Sequence, residues 1–229
     1  MMVSIYGIKI NDDIDKNIFN KLLCIVSSEK KNKILKFRSK KDAQRSLFGD
    51  LLARYVICNK LNIKNEQLEF DVNKYGKPNL IRPEGYHYNI SHSGDWVVCA
   101  FDNHPIGIDV EVIKPIDFNI AKKFYTEFEY TDLMNQKENN RLNYFYRLWT
   151  LKESYIKADG KGLSIPLNSF SFSINNQDIE LMTENEFNSC LFWQNEIDNK
   201  HIVSVCYLKG NIDSIKIINQ SNILMSPFF

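Results

Sequence analysis

Two acidic residues, Asp109 and Glu111, lie two positions apart in Ile106-Gly-Ile-Asp-Val-Glu-Val-Ile113. The run alternates strictly: Ile106, Ile108, Val110 and Val112 point one way, and Gly107, Asp109 and Glu111 the other. A strand has a side-chain period of two, so both carboxylates fall on one face, roughly 7 Å apart. Two anions that close repel, and an apolar strand offers them little water. A hard divalent cation would compensate them. The plainer alternative is a solvated strand face with two ordinary acids.

A third carboxylate has an unusual place. Residues 141–159 read as a helix that stops near Gly160 and Gly162, with Pro166 beyond. Phe145, Trp149 and Ile156 form its apolar stripe, and Glu153 falls on the same stripe. A carboxylate there is costly unless paired or metal-bound. Lys157 lies one turn on and can pair with it. Glu153 is therefore either half of an intrahelical ion pair or a third metal ligand that leaves Lys157 free for a phosphate.

Basic residues that suit an anion lie elsewhere. Residues 30–45 carry eight Lys or Arg against one acid, Asp42, including Lys30, Lys33 and Arg45. This is a solvated helix face or a phosphate site. Lys77 sits on the loop Lys74-Tyr-Gly-Lys-Pro78. His92, flanked by Ser91 and Ser93, joins two strand-like runs, residues 86–91 and 96–101, in a hairpin pattern. A histidine there can donate to a phosphate, while turn chemistry explains the serines equally well.

The elements that must carry these groups are mixed. Residues 3–10 read as a strand, and Ser27 or Ser28 caps a short helix. Residues 42–60 form an amphipathic helix through Ala43, Leu47, Leu51, Tyr55 and Val56. Residues 117–128 look helical, with Glu127 and Glu129 at the helix end or in the turn after it. Residues 170–174, 201–208 and 211–218 read as strands of a second sheet, and 226–229 as a tail.

With 44% hydrophobic and 13% aromatic residues among 229, the chain can build a substantial core. A net charge of +1 gives no general pull toward nucleic acid or membrane. No run reaches the ~20 apolar residues of a membrane span, and Met-Met-Val-Ser-Ile-Tyr-Gly does not read as a signal peptide. Five scattered cysteines without C-x-x-C fit free thiols in a reducing cytosol. A cytoplasmic protein is expected.

A faint repeat at an offset of 100 residues matches Gly7-Ile8 with Gly107-Ile108, and Leu51 and Tyr55 with Leu151 and Tyr155. It points to two similar α/β halves meeting at a crevice, 1–104 and 105–229. Glu153 would then stand where the first half has Ala53. Three carboxylates beside basic residues fit Mg²⁺, which is held by a few carboxylates plus substrate phosphates. Pattern alone ends at Mg²⁺-dependent chemistry on a phosphorylated substrate.

Gly107-Ile-Asp-Val-Glu111, followed by Trp149-Thr-Leu-Lys-Glu-Ser-Tyr-Ile-Lys157, resembles the paired signature of the 4′-phosphopantetheinyl transferases. Tyr75-Gly-Lys-Pro78, Asn89-Ile-Ser-His-Ser93 and Phe48-Gly-Asp50 stand in the order seen in the Sfp type. The resemblance spans residues 6–166. It implies an α/β (α+β) pseudodimer of two similar halves, each a small sheet packed with helices, with the active site in the crevice between them.

The resemblance also implies transfer of the phosphopantetheine arm of coenzyme A to a serine of an acyl or peptidyl carrier protein. Adenosine 3′,5′-bisphosphate is the other product. Asp109, Glu111 and Glu153 match the Mg²⁺ ligands, and Lys157 the lysine at the pyrophosphate. Ser91 and His92 match residues that hold coenzyme A phosphates. Lys30, Lys33, Arg45 and Ser46 match positions around the 3′-phosphate and adenine, and Lys77 lies on a contributing loop. Glu129 matches a residue given the role of taking the serine proton, with Glu153 or a metal-bound water as competitors. A monomer acting in secondary metabolism is the family's usual form. Two other readings are a Mg²⁺-dependent nucleotide pyrophosphate hydrolase and a non-catalytic coenzyme A or carrier-binding protein; a pure binder has no need of all four of Asp109, Glu111, Glu153 and Lys157.

Overall fold

A computed structural model describes residues 3–10, 13–175 and 178–229. Met1 and Met2, where the signal-peptide reading begins, lie outside them. The chain opens with strand β1 (Ser4–Lys9) and three helices, α1 (Lys16–Leu22), α2 (Ser28–Leu35) and α3 (Lys40–Leu61). Two hairpins follow, β2 (Glu69–Val72) with β3 (Pro78–Arg82), and β4 (His87–Ser93) with β5 (Trp96–Asp102). The same order then recurs. It runs through β6 (Gly107–Val112), then α4 (Asn119–Phe124), α5 (Glu127–Asn135) and α6 (Glu138–Asp159). The hairpins β7 (Ser171–Asn175) with β8 (Asp178–Met182), and β9 (Leu191–Asp198) with β10 (His201–Tyr207), complete it.

Each half pairs its opening strand antiparallel with its last one, giving sheets β1-β5-β4 and β6-β10-β9. The expected two similar halves are therefore present. The final stretch crosses over: β11 (Lys216–Ile218) pairs parallel with β1, and helix α7 (Gln220–Leu224) packs on α3. Phe228 and Phe229 also join the core of the first half. Residues 216–229 thus belong spatially with residues 1–104, and the end of the chain is packed rather than a tail.

Alternation along the strands builds four layers. Tyr6, Ile8, Val97 and Cys99 face α3, where Leu47, Phe48, Leu51 and Val56 are fully buried. Each such side chain contributes about 1.5–3 kcal/mol of burial. Val3, Ile5, Val98 and Ala100 face the second sheet and meet Ile106, Ile108, Val110, Val203 and Val205. On the far side, Ile202 and Cys206 face α6 with Leu148, Leu151 and Tyr155. The order is helix, sheet, sheet, helix.

The repeat has a different register from the offset of 100. Lys9 pairs with Trp96 just after the first hairpin turn, and Val112 with His201 just after the second. Counting back three residues, Tyr6 corresponds to Asp109. The long helices both end in a left-handed cap, Asn62 at φ 53° and Gly160 at φ 87°. Seven residues before those caps, Tyr55 corresponds to Glu153. Glu153 therefore matches Tyr55 and not Ala53. The first half has an aromatic pair where the second has an acidic one.

The helix expected over 117–128 is two helices. Thr126 caps α5, accepting from the Glu129 N–H at 3.3 Å while Glu129 Oε2 accepts from the Thr126 N–H at 3.0 Å. This capping box opens a new helix at Glu127.

Candidate functional site

The site lies where the edge of β4 meets the edge of β6. Asn89, Ser91 and Ser93 alternate on β4 and reach across the gap between the halves. Asn89 Oδ1 accepts from the Ile108 N–H at 2.8 Å, and Ser93 Oγ from the Val112 N–H at 3.1 Å. These side chains satisfy backbone donors that a neighbouring strand would otherwise take. Ser91 Oγ donates to Asp109 Oδ1 at 2.8 Å, and Ser93 Oγ to Glu111 Oε2 at 2.7 Å. The serines expected in the hairpin turn thus lie on β4 and are partners of the strand carboxylates.

Gly107 brings α6 over this edge. A Cβ there would collide with the Ser154 carbonyl oxygen and the Ala158 nitrogen, both in the backbone of α6. Its absence lets the helix rest directly on β6, on the face that carries Asp109 and Glu111. Lys157 Nζ then reaches Asp109 Oδ1 at 2.6 Å, Ser91 Oγ at 3.2 Å and the Ile108 carbonyl at 3.3 Å. The intrahelical pair with Glu153 gives way to this pair across the layers.

Asp109 is 3% exposed, and its Oδ2 is buried without a hydrogen-bond partner among the described residues. Burial, and next the charge of Asp109, push the carboxyls of both Glu111 and Glu153 above their ordinary value. Ser93 partly opposes this at Glu111, and Lys157 at both. Three carboxylates thus share one partly buried ammonium. Among the described residues no three His, Cys, Asp or Glu side chains are gathered closely enough to hold a metal as they stand. The chemistry still fits a hard cation: an orphaned carboxylate oxygen, two further carboxyls raised by burial and by the neighbouring anion, and all-oxygen donors.

The other face of β4 carries Ile90 and His92. Ile90 packs at Gly49 of α3, and exposed His92 lies near Arg45, Lys157 and Lys30. Partial desolvation of the ring first, and then the charges of Arg45, Lys157 and Lys30, hold His92 below its usual value. Arg45 donates to the Gly94 carbonyl at 2.7 Å and to Asp42. Lys30 is lowered first by burial. Lys30, Arg45 and Lys157 therefore form one cationic patch beside the carboxylates, with the His92 ring among them.

Three other expected residues make no hydrogen bond or ion pair with the carboxylate cluster among the described residues. Lys33 is exposed and pairs with Glu29 at 2.8 Å. Ser46 is buried in α3. Lys77 Nζ donates to the Ile106 and Ala158 carbonyls at 3.3 and 3.4 Å, and burial lowers it to about 8. Its loop is pinned to the end of α6 by Asn73, whose Nδ2 donates to the Gly160 carbonyl at 2.8 Å.

Glu129 does not join the cluster. It is fully buried, paired with Lys152 at 2.8 Å, and accepts from the Phe172 N–H at 2.9 Å and from Thr126. Lys152 in turn donates to the Leu167 and Phe170 carbonyls, each at 2.7 Å. A carboxylate fully enclosed in the core and held by the Lys152 ammonium is out of reach of a carrier serine, which corrects the role expected for Glu129. Sequence reasoning also missed Asn89, Ser93 and Gly107 as parts of the site. The alternation of Asn89, Ser91 and Ser93 was the available signal.

Residues 105–206 match the model of the 4′-phosphopantetheinyl transferase superfamily, and residues 14–104 that of 4′-phosphopantetheinyl transferase, N-terminal. The chain is 40% identical over 216 residues to 4′-phosphopantetheinyl transferase gsp of Aneurinibacillus migulanus, covering 94% of this chain and 90% of the relative. It is 40% identical over 206 residues to 4′-phosphopantetheinyl transferase Sfp of Bacillus subtilis, covering 89% and 92%. The mouse L-aminoadipate-semialdehyde dehydrogenase-phosphopantetheinyl transferase is 31% identical over 208 residues, covering 80% and 67%.

Proposed function

Because the chain belongs to the 4′-phosphopantetheinyl transferases, we propose that it moves the 4′-phosphopantetheine arm of coenzyme A onto a serine of an apo acyl or peptidyl carrier protein. Adenosine 3′,5′-bisphosphate leaves. The observation that carries this reading is the meeting of Asp109, Glu111, Glu153 and Lys157 at the junction of the halves, beside the patch of Lys30, Arg45 and His92.

Asp109, Glu111 and Glu153 would hold Mg²⁺, which supplies positive charge to the pyrophosphate. Lys157 adds its ammonium to that charge, and Arg45, His92 and Lys30 bind the remaining phosphates of coenzyme A. Lys33, Ser46 and Lys77 shape the outer part of that site, and Ser91 holds Asp109 and Lys157 in place. The carrier serine Oγ attacks the phosphorus bearing the pantetheine arm, and the bond to the leaving phosphate oxygen breaks. The serine proton goes to a carboxylate of the cluster. Glu153 is our assignment, since Asp109 already accepts from Ser91 and Lys157, and Glu111 from Ser93.

We take 1–104 and 105–229 as the two working halves in sequence, with the returning residues 216–229 packed on the first, and the protein as a monomer, because one chain carries both sides of the site. A cytoplasmic role in secondary metabolism, without nucleic-acid partners, is consistent with free cysteines and a net charge of +1. Among the described residues no helix is long and apolar enough to cross a membrane.

Chromatography of the nucleotide products tests the reading. Adenosine 3′,5′-bisphosphate should appear only when an apo carrier with an intact serine is present. Its release without carrier would instead identify a pyrophosphate hydrolase.

A further inference from the structure

The two hairpin tips of the halves meet beside the cationic patch. The first turn is Gly94-Asp95 and the second Asn199-Lys200; Ser93 pairs with Trp96, and Asp198 with His201. Trp96 and His201 thus hold matching places, and both turn to Asp198. The Trp96 Nε1–H donates to Oδ2 at 2.9 Å, and His201 Nδ1 lies 2.9 Å from Oδ1. Burial alone would raise the Asp198 carboxyl, but these hydrogen bonds and that of the Lys200 N–H bring it to about 2. An ionised carboxylate only accepts, so the His201 proton facing it is on Nδ1.

The opposite ring nitrogen has no such partner. Nε2 of His201 is buried without a hydrogen bond among the described residues, on a side chain 6% exposed. It abuts Gly94: a Cβ added there would lie 2.5 Å from Nε2. Gly94 has φ +56°, and its carbonyl accepts from Arg45 Nη1 at 2.7 Å. The other anchor of the Arg45 guanidinium is Asp42. A continuous line of contact therefore runs from Asp198 through His201 and Gly94 to Arg45, from the second half into the first.

We infer that His201, oriented by Asp198, is a positioning residue for Arg45: its imidazole props the 94–95 turn so that the Gly94 carbonyl aims the guanidinium at the anion faced by Lys30 and His92. With the prop removed, the turn can settle into the space and Arg45 swings about its remaining anchor. Among the described residues the ring hydrogen-bonds to no carboxylate of the cluster and not to Lys157, so its loss should alter substrate binding and leave the chemical step alone. The inference rests on the reading of Arg45 as a contact of the coenzyme A 3′-phosphate.

The test is steady-state kinetics of the full chain with an apo carrier, coenzyme A and 3′-dephospho-coenzyme A. H201A should raise KM for coenzyme A about tenfold with kcat unchanged, the size of a weakened charge-assisted hydrogen bond. R45A should do the same, and KM for 3′-dephospho-coenzyme A should hardly move in either. H201N keeps a donor for Asp198 but cannot reach Gly94, so it should repeat the KM effect if H201A folds poorly. G94A should be impaired both by collision with the imidazole and by the strain of a side chain at φ +56°, and G94A/H201A should regain the part due to the collision. An unchanged KM in H201A and H201N, beside a raised KM in R45A, overturns the inference and leaves the phosphate reading standing. Equal loss of kcat for both substrates would reduce His201 to a merely structural role and also overturn it. An unchanged KM in R45A overturns the phosphate reading itself, and the inference with it.

Discussion

Lys157 Nζ lies 2.6 Å from Asp109 Oδ1, joining the last turn of α6 to the strand beneath it. The two ends of this pair are not equivalent. Asp109 is one of three carboxylates, whereas Lys157 is the ammonium that hydrogen-bonds among them. K157A leaves buried anions uncompensated, while D109A relieves their mutual repulsion. In EDTA, urea denaturation should find K157A less stable than wild type by about 2–3 kcal/mol, below the full cost of breaking a buried pair because Lys157 is 26% exposed. D109A should be close to wild type in stability and should lose at least about 10²–10³ in turnover. The reverse order of stabilities would contradict the charge balance described above.

The pH dependence follows from Glu111 and Glu153. Burial, and then Asp109, raise both above the ordinary 4.5. The unfolded chain therefore releases these protons at lower pH than the folded one. Their contribution to stability is neutral below 4.5 and becomes unfavourable as pH rises through the raised folded values. In EDTA, the melting temperature of E153Q should gain on wild type across that window and stay higher above it. Mg²⁺ should narrow the gap by binding the ionised wild-type cluster. A gap that widens on acidification would mean that Glu153 is stabilised as an anion without metal.

Gly107 is a packing requirement. G107A places a methyl group against the backbone of α6, which cannot yield as a flexible side chain does. Overpacking of this kind costs about 1–3 kcal/mol or more, and any relief must lift Lys157 and Glu153 away from Asp109. G107A should lose stability and turnover together. G49A in the first half offers a contrast: its Cβ would meet the flexible Ile90 side chain at 3.3 Å. It should cost less and spare turnover.

The acid pair on β6 and the two long helices were legible in the sequence because burial enforces periodicity. Asp109 and Glu111 could only share a face once Ile106, Ile108 and Val110 were committed to the other. Glu153 stood out as a charge on an apolar stripe. Its partner was not legible: the distance along a helix favours Lys157 with Glu153, but the missing side chain at Gly107 lets Lys157 reach a strand 48 residues away in sequence. Counting residues also misled. The offset of 100 aligned Gly7 with Gly107 by coincidence, because the strands and the helices of the two halves repeat with different offsets. His201 went unnoticed because its partner Gly94 is more than a hundred positions away and carries no side chain to suggest a contact.

Glu129 illustrates the same limit. Its spacing from Thr126 is a capping signal, yet its place beside Lys152 depends on the fold of residues 167–172. E129Q should lose about 3–5 kcal/mol, as expected when a fully buried pair loses one partner. The activity of its folded fraction should keep the wild-type pH profile. E129L/K152M should recover much of the stability. A shifted pH profile in folded E129Q would return the proton-accepting role to Glu129.

The most direct test of the central claim is the intact mass of a purified apo carrier protein after incubation with this protein, coenzyme A and Mg²⁺, run in parallel with EDTA and with D109A. Phosphopantetheinyl transfer through the Asp109 cluster predicts a gain of one phosphopantetheine mass on the carrier, lost with EDTA and with D109A. An unmodified carrier while coenzyme A is cleaved, or full modification by D109A, would contradict it.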